Sequence, residues 1–227
     1  MRGRKAATLF IIFIILIIIY PKMVCTAASS EDKTNLSVLI DLSEERLYLI
    51  DSKDNKILKS YIIASGKPDT PSPIGSWKVI SLGKWSGGFG SRWIGLNVPW
   101  GKYGIHGTNK PSSIGSEASH GCIRMSNNNI EELYDYIQHG TTVVICTEPF
   151  GAFDKGLKIL KPGDRGSAVY EVQKKMKDRG YYPGHVDGIY GENMKKYVLK
   201  FRVDNKLSYN HYIDKEFYKK LDIELID

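Results

Sequence analysis

Cysteine is scarce in this chain, which has three cysteines among 227 residues. So few cysteines, spaced so unevenly, exclude a disulfide-stapled scaffold. Cys25 lies near the start of the chain, and Cys146 ends an apolar run that predicts a buried strand thiol. Cys122 lies instead among glycine and polar residues, which favours a reactive thiol. A Cys122–Cys146 bridge is compatible with the sequence and is left open.

Long apolar runs are also rare, and the one at residues 6–20 is too short to span a bilayer comfortably, which takes about 20 residues. A basic head precedes it and small residues follow at 26–30, the pattern of a secretory signal. Residues 1–30 are therefore predicted to be a signal peptide or membrane anchor, so the protein is expected to be exported. Whether the segment is cleaved or retained stays open, and a buried N-terminal helix is the alternative.

Acidic residues are outnumbered, so the formal net charge is +7 and the sequence pI is about 9.1. This balance favours polyanionic surroundings, namely nucleic acid, an anionic membrane surface or an anionic wall polymer. The chain lacks a Lys/Arg-rich helix or arm, and together with the export signal this disfavours nucleic acid. Internal repeats and low-complexity segments are absent as well.

Two regions with different hydrophobic periods predict an α+β fold. Residues 36–148 are mainly extended and carry one helix after Ser126, which predicts a β-rich mixed sandwich with one packed helix. Residues 149–157 are the predicted linker. Residues 158–222 hold three short segments of helical period, which predict a small all-α, three-helix domain.

The densest polar cluster surrounds Cys122, with His106 upstream and His120 two residues before the thiol. An imidazole in hydrogen-bond reach activates a thiol, and spacing leaves either histidine as the base. On an extended chain His120 and Cys122 would share a face, Gly121 would admit a substrate carbonyl, and nearby amides could form an oxyanion hole. Arg124 offers a fork for a carboxylate. Zinc binding by these histidines and the cysteine is the alternative, although a fourth ligand is lacking.

The segment Ser119–Met125, preceded by Ile105–Thr108, resembles the signature of the L,D-transpeptidase (YkuD-type) catalytic domain. Residues 70–77 and 129–145 resemble further parts of that domain, and the resemblance covers about residues 36–148. The interval between His106 and Ser119 is shorter than the family pattern.

The resemblance implies a role for each position. Cys122 is the nucleophile, and His106 is the general base, oriented by the backbone carbonyl of Gly107. His120 joins the catalytic set, and the remaining positions shape the oxyanion and substrate site. Those positions are Ser119, Gly121 and Arg124. No cofactor or metal is implied.

The C-terminal region resembles the three-helix peptidoglycan-binding domain, through residues 160–166, 172–173, 180–181 and 186–191. It departs from that pattern at Met194 and at Arg202, where the family favours threonine and glutamine. A helical packing module without a ligand is the alternative for this region.

Glycine-spaced aromatics precede His106, from Trp85 and Phe89 to Trp93 and Tyr103. They are interpreted either as core residues or as a mobile wall that covers the cleft.

The function implied by the resemblance is peptidoglycan crosslinking through a thioester on Cys122 at the third stem residue. The expected partners are stem peptides and glycan, and the expected location is the cell wall or the outer face of the cytoplasmic membrane. The alternatives are an L,D-carboxypeptidase and a non-catalytic wall-binding protein. The oligomeric state and the acceptor amine stay open.

Overall fold

The computed structural model describes residues 33–147 and 157–223. The predicted signal or anchor lies outside these residues, as does nearly all of the predicted linker. Eight strands form the first domain. They are β1 (Leu36–Asp41), β2 (Arg46–Asp51), β3 (Lys56–Ile62), β4 (Gly75–Lys84), β5 (Arg92–Leu96), β6 (Tyr103–His106), β7 (Ile123–Arg124) and β8 (Thr142–Cys146).

The strands form one mixed sheet in the order β3-β2-β1-β8-β4-β5-β6-β7. Strands β1 and β8 run parallel at its centre, and β6 and β7 run parallel at one end. Alternate residues of β1 and β8 are buried, because one face of each strand meets the core and the other does not. This confirms the β-rich mixed architecture that the alternating pattern predicts.

Strand β4 joins the two parts of the sheet. Its residues 75–78 pair with β8, whereas residues 79–84 pair with β5 after a register shift beyond Val79. Such an irregularity bends a strand and increases its twist, so the sheet curls. The curl brings β5, β6 and β7 together as a separate ladder at the end of the sheet.

One helix, α1 (Asn127–Tyr136), packs on this sheet. Its N-cap is Ser126, whose side chain accepts a hydrogen bond from the amide of Asn129 at 3.3 Å. Ile130 and Leu133 are fully buried, which confirms the predicted packed helix. The helix ends at Tyr136, and Gly140 lies in the following turn with φ of +85°.

The second domain consists of α2 (Ser167–Asp178), α3 (Glu192–Asp204) and α4 (Lys215–Lys220). Its apolar side chains form a core separate from that of the sheet domain. Arg202 is fully buried within it. Its guanidinium pairs with Asp214 and donates to the carbonyl oxygens of Ser208 and Tyr212 at 2.7–3.0 Å. The arginine is therefore a structural part of the predicted three-helix domain.

The two domains touch through aromatic rings. The Tyr170 ring of α2 lies 5.5 Å from both Trp77 and Trp100 of the sheet domain, measured between ring centroids. A Cβ added to Gly188 would lie 2.3 Å from the Trp100 ring, so only glycine fits at this contact. The helical domain is therefore packed against the sheet domain on the side of β4 and the Trp100 loop.

Within residues 33–147 and 157–223, no helix has both the length and the apolar character to cross a membrane.

Candidate active site

His106 is the last residue of β6 and is 3% exposed. Its Nδ1 lies 2.5 Å from the carbonyl oxygen of Gly107. Since a carbonyl oxygen can only accept, Nδ1 carries the proton and Nε2 is the basic nitrogen. The backbone carbonyl thus takes the orienting role that the resemblance implies for Gly107.

The environment of His106 keeps its imidazole neutral. Burial lowers the pKa of His106, and the positive charge of Arg124 lowers it further. Hydrogen bonds to the backbone at Gly107 and Phe89 act in the opposite direction and are outweighed. The ring is therefore available as a base at neutral pH.

Cys122 lies on the chain just before β7, beside the last strand residues of β6. The parallel register pairs Ile105 with Ile123 and His106 with Arg124. Cys122 directly precedes β7, and one step back along this register places it next to Gly104, two residues before His106 on β6. A Cβ at Gly104 would lie 2.6 Å from the Ile94 carbonyl oxygen, so glycine is required there.

The thiol of Cys122 is partly buried, and its Sγ lies 3.9 Å from the Lys102 carbonyl oxygen, which accepts its hydrogen bond. Burial raises the pKa of Cys122, while a hydrogen bond from the Gly104 backbone and the charge of Arg124 oppose the rise. The sequence argument expected an imidazole to activate this thiol. In the structure, desolvation disfavours both the thiolate of Cys122 and the imidazolium of His106.

Ser119 shapes the turn that carries the thiol. It is 1% exposed, and its hydroxyl donates to the Cys122 carbonyl oxygen at 2.6 Å. The same hydroxyl accepts from the Gly121 amide at 2.9 Å. The Gly121 amide is thereby occupied, whereas the Cys122 amide has no hydrogen-bond partner within the described residues. Of these two amides, the one at Cys122 is the available donor for an oxyanion.

Gly121 has φ of +105°, so the chain is not extended between His120 and Cys122. The expectation that both side chains share one face of an extended strand is wrong for this reason. His120 is exposed, while Gly121 is wedged against Tyr103 and Pro71. A Cβ there would lie 2.7 Å from the Tyr103 ring and 3.1 Å from the Pro71 carbonyl oxygen.

Arg124 holds the thiol segment to the start of the loop after β3. Its backbone exchanges two hydrogen bonds of 2.9 Å with Ala64, and its guanidinium reaches the Ala118 carbonyl oxygen at 3.4 Å. Its charge acts on both Cys122 and His106. The side chain is thus placed to influence the reacting groups or a substrate carboxylate.

The aromatic residues before His106 surround its ring. Phe89 meets the imidazole edge-on at 5.0 Å between centroids, and Trp93 stacks near it at 5.8 Å. Trp85 stacks on Trp93 at 5.0 Å and is 46% exposed. The group forms one wall of the site, although part of the segment predicted as a loop is regular structure in β5 and β6.

Lys102 and Gly104 are neighbours of the thiol that the sequence did not single out. Tyr103 and Pro71, which the sequence placed in the aromatic segment and in residues 70–77, pack against Gly121. Their contacts depend on strand register and on the loop after β3, which no local motif reveals. The cysteines of the described residues, Cys122 and Cys146, are both thiols. Over the same part of the chain, no three His, Cys, Asp or Glu side chains are grouped to hold a metal ion.

A curled mixed sheet, with a buried histidine at the end of one strand and a cysteine just before the neighbouring strand, is followed by a three-helix domain, and this combination defines the class of this protein. Residues 36–145 match the YkuD family model, described as the L,D-transpeptidase catalytic domain. Residues 165–221 match the model described as "Putative peptidoglycan binding domain". Residues 36–145 are therefore an L,D-transpeptidase catalytic domain of the YkuD family, and residues 165–221 are a domain of the peptidoglycan-binding type.

Curated relatives match the catalytic region. "Putative L,D-transpeptidase YkuD" of Bacillus subtilis is 44% identical over 95 residues, which cover 41% of this chain and 57% of that protein. "Putative L,D-transpeptidase YqjB" of the same organism is 38% identical over 111 residues, covering 42% and 63%. This chain thus spans little more than half the length of these relatives. The catalytic domain of an Enterococcus faecium L,D-transpeptidase aligns at a TM-score of 0.42 and 24% identity, covering 48% of this chain and 95% of that one.

Proposed function

We propose that the protein is a cysteine L,D-transpeptidase that crosslinks peptidoglycan stem peptides through a thioester on Cys122. The observation that carries the proposal lies within the family's catalytic domain. There Cys122 directly precedes β7, and the buried His106, whose Nδ1 is bonded to the Gly107 carbonyl oxygen, ends the neighbouring strand β6. This arrangement provides a nucleophile, a base and an orienting group.

In the proposed first half-reaction, the thiol of Cys122 passes its proton to Nε2 of His106 as sulfur attacks the carbonyl of the third stem residue. The C–S bond forms, the C–N bond to the terminal D-residue breaks, and His106 returns the proton to the leaving nitrogen. Since the thiol hydrogen bonds to the Lys102 carbonyl oxygen in the structure, it must leave that partner first.

In the second half-reaction, an amine of a neighbouring stem attacks the thioester carbonyl. A C–N bond forms, the C–S bond breaks, and the amine proton returns to Cys122 by way of His106. The Cys122 amide is the proposed oxyanion donor, because Ser119 occupies the amide of Gly121. Arg124 positions the peptide, and His120 and Gly121 shape the substrate site.

The proposal includes where the protein works. The N-terminal pattern and the net charge of +7 support export to the cell wall or to the outer face of the cytoplasmic membrane. The C-terminal domain is proposed to hold the enzyme on peptidoglycan, as its family description suggests. In that case both domains act on the same polymer.

Incubation of the protein with disaccharide-tetrapeptide, followed by mass spectrometry, tests the proposal. A crosslinked dimer that has lost one terminal D-alanine is expected with the wild type and with Cys146→Ala. Cys122→Ala is expected to form none while retaining its melting temperature. Tripeptide without dimer would support the L,D-carboxypeptidase instead, and unchanged substrate together with binding to wall sacculi would leave only a wall-binding protein.

A further inference from the structure

Two aromatic side chains beside the candidate active site are exposed. Trp85 follows β4 and is 46% exposed, and Phe89, in the short turn after it, is 44% exposed. Their rings meet edge to face, 5.1 Å apart between centroids. Together with Trp93, which contacts them at 5.0 and 5.8 Å, they form an aromatic platform. Large rings that stay open to solvent next to reactive groups are typical of a ligand-binding surface.

The aromatic platform adjoins both reacting groups. Phe89 contacts the His106 ring at 5.0 Å between centroids. Trp93 lies against β6, where a Cβ added to Gly104 would be 2.7 Å from the indole ring. The backbone of Gly104 in turn hydrogen bonds to Cys122. A ligand that covers the exposed rings is therefore next to the base and to the strand that holds the thiol.

The platform also has a polar edge. The Trp93 indole N–H donates to the hydroxyl oxygen of Ser81 at 3.3 Å, and this exposed serine keeps its own proton to donate. A Cβ at Gly83 would lie 2.8 Å from the Trp85 indole nitrogen, so this ring packs closely on β4. The surface therefore suits a ligand with an apolar face and hydrogen-bonding groups around its edge.

A sugar ring is a ligand of this kind. A pyranose presents C–H groups on its faces and hydroxyl groups around its edge. The C–H groups are attracted to the electron-rich face of an aromatic ring, while the hydroxyl groups bond to polar neighbours such as Ser81. An aliphatic side chain has no use for the polar edge, so the surface favours a sugar over an apolar peptide residue.

The length of the stem allows its sugar to reach the platform. In the proposed reaction the carbonyl of the third stem residue lies at Cys122, and three extended residues span at most about 10–11 Å. The Phe89 ring lies 5.0 Å from His106, and the Trp85 ring lies 5.1 Å from Phe89. Both exposed rings are therefore within reach of the amino sugar that carries the attacked stem.

We propose that the aromatic platform binds the sugar ring to which the donor stem is attached. The inference rests on the proposed transpeptidase function and deepens it by giving the glycan a site of its own. Glycan-linked stems should then be better donors than free peptides. The backbone of Phe89 also hydrogen bonds to His106, so replacing Phe89 would disturb the base as well. Trp85 is therefore the residue whose replacement tests the sugar site.

A competition between two donors on the full chain tests the proposal. The protein is given equal concentrations of disaccharide-tetrapeptide and free tetrapeptide, together with an excess of one amine acceptor. Mass spectrometry measures the ratio of the two transfer products early in the reaction. Because both donors compete for the same Cys122, the ratio does not depend on how much of the enzyme is active.

Wild type is expected to favour the disaccharide donor. Trp85→Leu, which keeps an apolar side chain without a ring, is expected to lower the product ratio about fivefold, as loss of one aromatic contact would. Trp85→Phe should retain most of the preference. Ile80→Ala is the matched control, because it removes an exposed apolar side chain from the same strand, and it should keep the wild-type ratio.

Binding without transfer gives a second readout. The full chain is titrated with the disaccharide lacking a peptide, and the four indole N–H signals are followed by NMR. The signals of Trp85, assigned through Trp85→Leu, and of Trp93 should shift with the sugar. Those of Trp77 and Trp100, which are buried, should not.

The outcomes separate the sugar site from the transpeptidase function. If wild type transfers from both donors and Trp85→Leu gives the same ratio, the function stands and the sugar site is refuted. If wild type transfers from neither donor, the function fails and the indole signals decide the sugar site. A shift at Trp85 would then support a wall-binding protein with this site, and no shift would refute the site as well. Melting temperatures of all variants separate a binding effect from unfolding.

Discussion

At the scale of single residues, burial has the largest effect on the protonation states of Cys122 and His106. Desolvation raises the pKa of Cys122 and lowers the pKa of His106, so each group is favoured in its uncharged form. A neutral thiol is a weak nucleophile until a base takes its proton. Proton transfer from Cys122 to His106 must therefore accompany attack on the substrate, because burial disfavours a thiolate before substrate is attacked.

The pH dependence of alkylation follows from these shifts. A raised thiol pKa means that the thiolate population at neutral pH is smaller than for an ordinary cysteine. The rate at which iodoacetamide modifies Cys122, measured by peptide mass spectrometry, should therefore keep rising with pH beyond the pH range in which ordinary thiols ionise. A lowered pKa of His106 means that the basic imidazole is lost only at a pH below the usual histidine range. An alkylation rate that is already maximal at neutral pH would contradict this description.

Gly90 is a residue whose replacement should disturb the base. It has φ of +63°, and a Cβ there would lie 2.4 Å from the carbonyl carbon of Gly107, whose oxygen holds His106. Gly90→Ala is therefore expected to reduce transfer at least tenfold and to destabilise the fold by about 1–3 kcal/mol.

Gly87→Ala is the matched control for that variant. Gly87 has a similar φ of +71°, but a Cβ there meets nothing within 4 Å. Gly87→Ala should lose stability because of backbone strain but keep the wild-type rate of peptide transfer. Equal activity losses in the two variants, measured as initial rates of crosslinked product beside thermal unfolding, would remove the proposed link between Gly90 and His106.

At the scale of elements, the alternating pattern predicts β1, β2 and β8 within a residue or two, because each of these strands buries one face. Strand β3 is predicted as closely from its β-branched and aromatic residues, although Tyr61 is its one buried residue. Strands β5 and β6 were not predicted. Their residues Trp93, Gly95 and Gly104 interrupt the period, and these glycines are needed by neighbouring strands and rings. Strand β7 has two residues, too few for any period to show. Register, which no short segment encodes, is what brings these strands together.

The residues of the site could be predicted from the sequence, but their geometry could not. The Ser119–Met125 segment and His106 were recognisable as a motif, and the structure brings that segment, through β7, beside the end of β6 that carries His106. The φ of +105° at Gly121 and the double hydrogen bond of the Ser119 hydroxyl follow from the turn geometry, which local spacing does not determine.

Asp214 supports the helical domain in two ways. One carboxylate oxygen accepts from the Phe217 amide at 3.0 Å as the N-cap of α4, and the other pairs with the fully buried Arg202. Asp214→Ala removes both interactions and leaves a buried charge without its counter-ion. It is expected to lower the free energy of unfolding by about 3–5 kcal/mol, measured by urea denaturation.

Two companion variants separate these contributions. Asp214→Asn retains a cap acceptor and loses the charge, so it should recover about 1 kcal/mol of the loss. Asp204→Ala breaks the exposed pair with Lys200 and should change stability by no more than about 1 kcal/mol. If Asp214→Ala lowered the free energy of unfolding as little as Asp204→Ala, the buried Arg202–Asp214 pair would not stabilise the domain.

At the scale of the whole molecule, the helical domain is packed against the catalytic domain rather than only tethered to it. Tyr170 contacts Trp77 and Trp100, and Gly188 fits closely against the Trp100 ring. Aromatic contacts of this kind are each worth about 0.5–1.5 kcal/mol beyond the area they bury. The helical domain therefore shares a packed aromatic contact with the catalytic domain around Trp77 and Trp100.

The measurement that tests the central claim most directly is the intact mass of the protein after brief mixing with a tetrapeptide donor and acid quenching. The account predicts an adduct equal to the donor minus its terminal D-residue, mapped by peptide analysis to Cys122. The adduct should be absent from Cys122→Ala, retained in Cys146→Ala and consumed when an amine acceptor is added. No adduct with any donor, or one on another residue, would contradict a thioester transpeptidase built on Cys122 and His106.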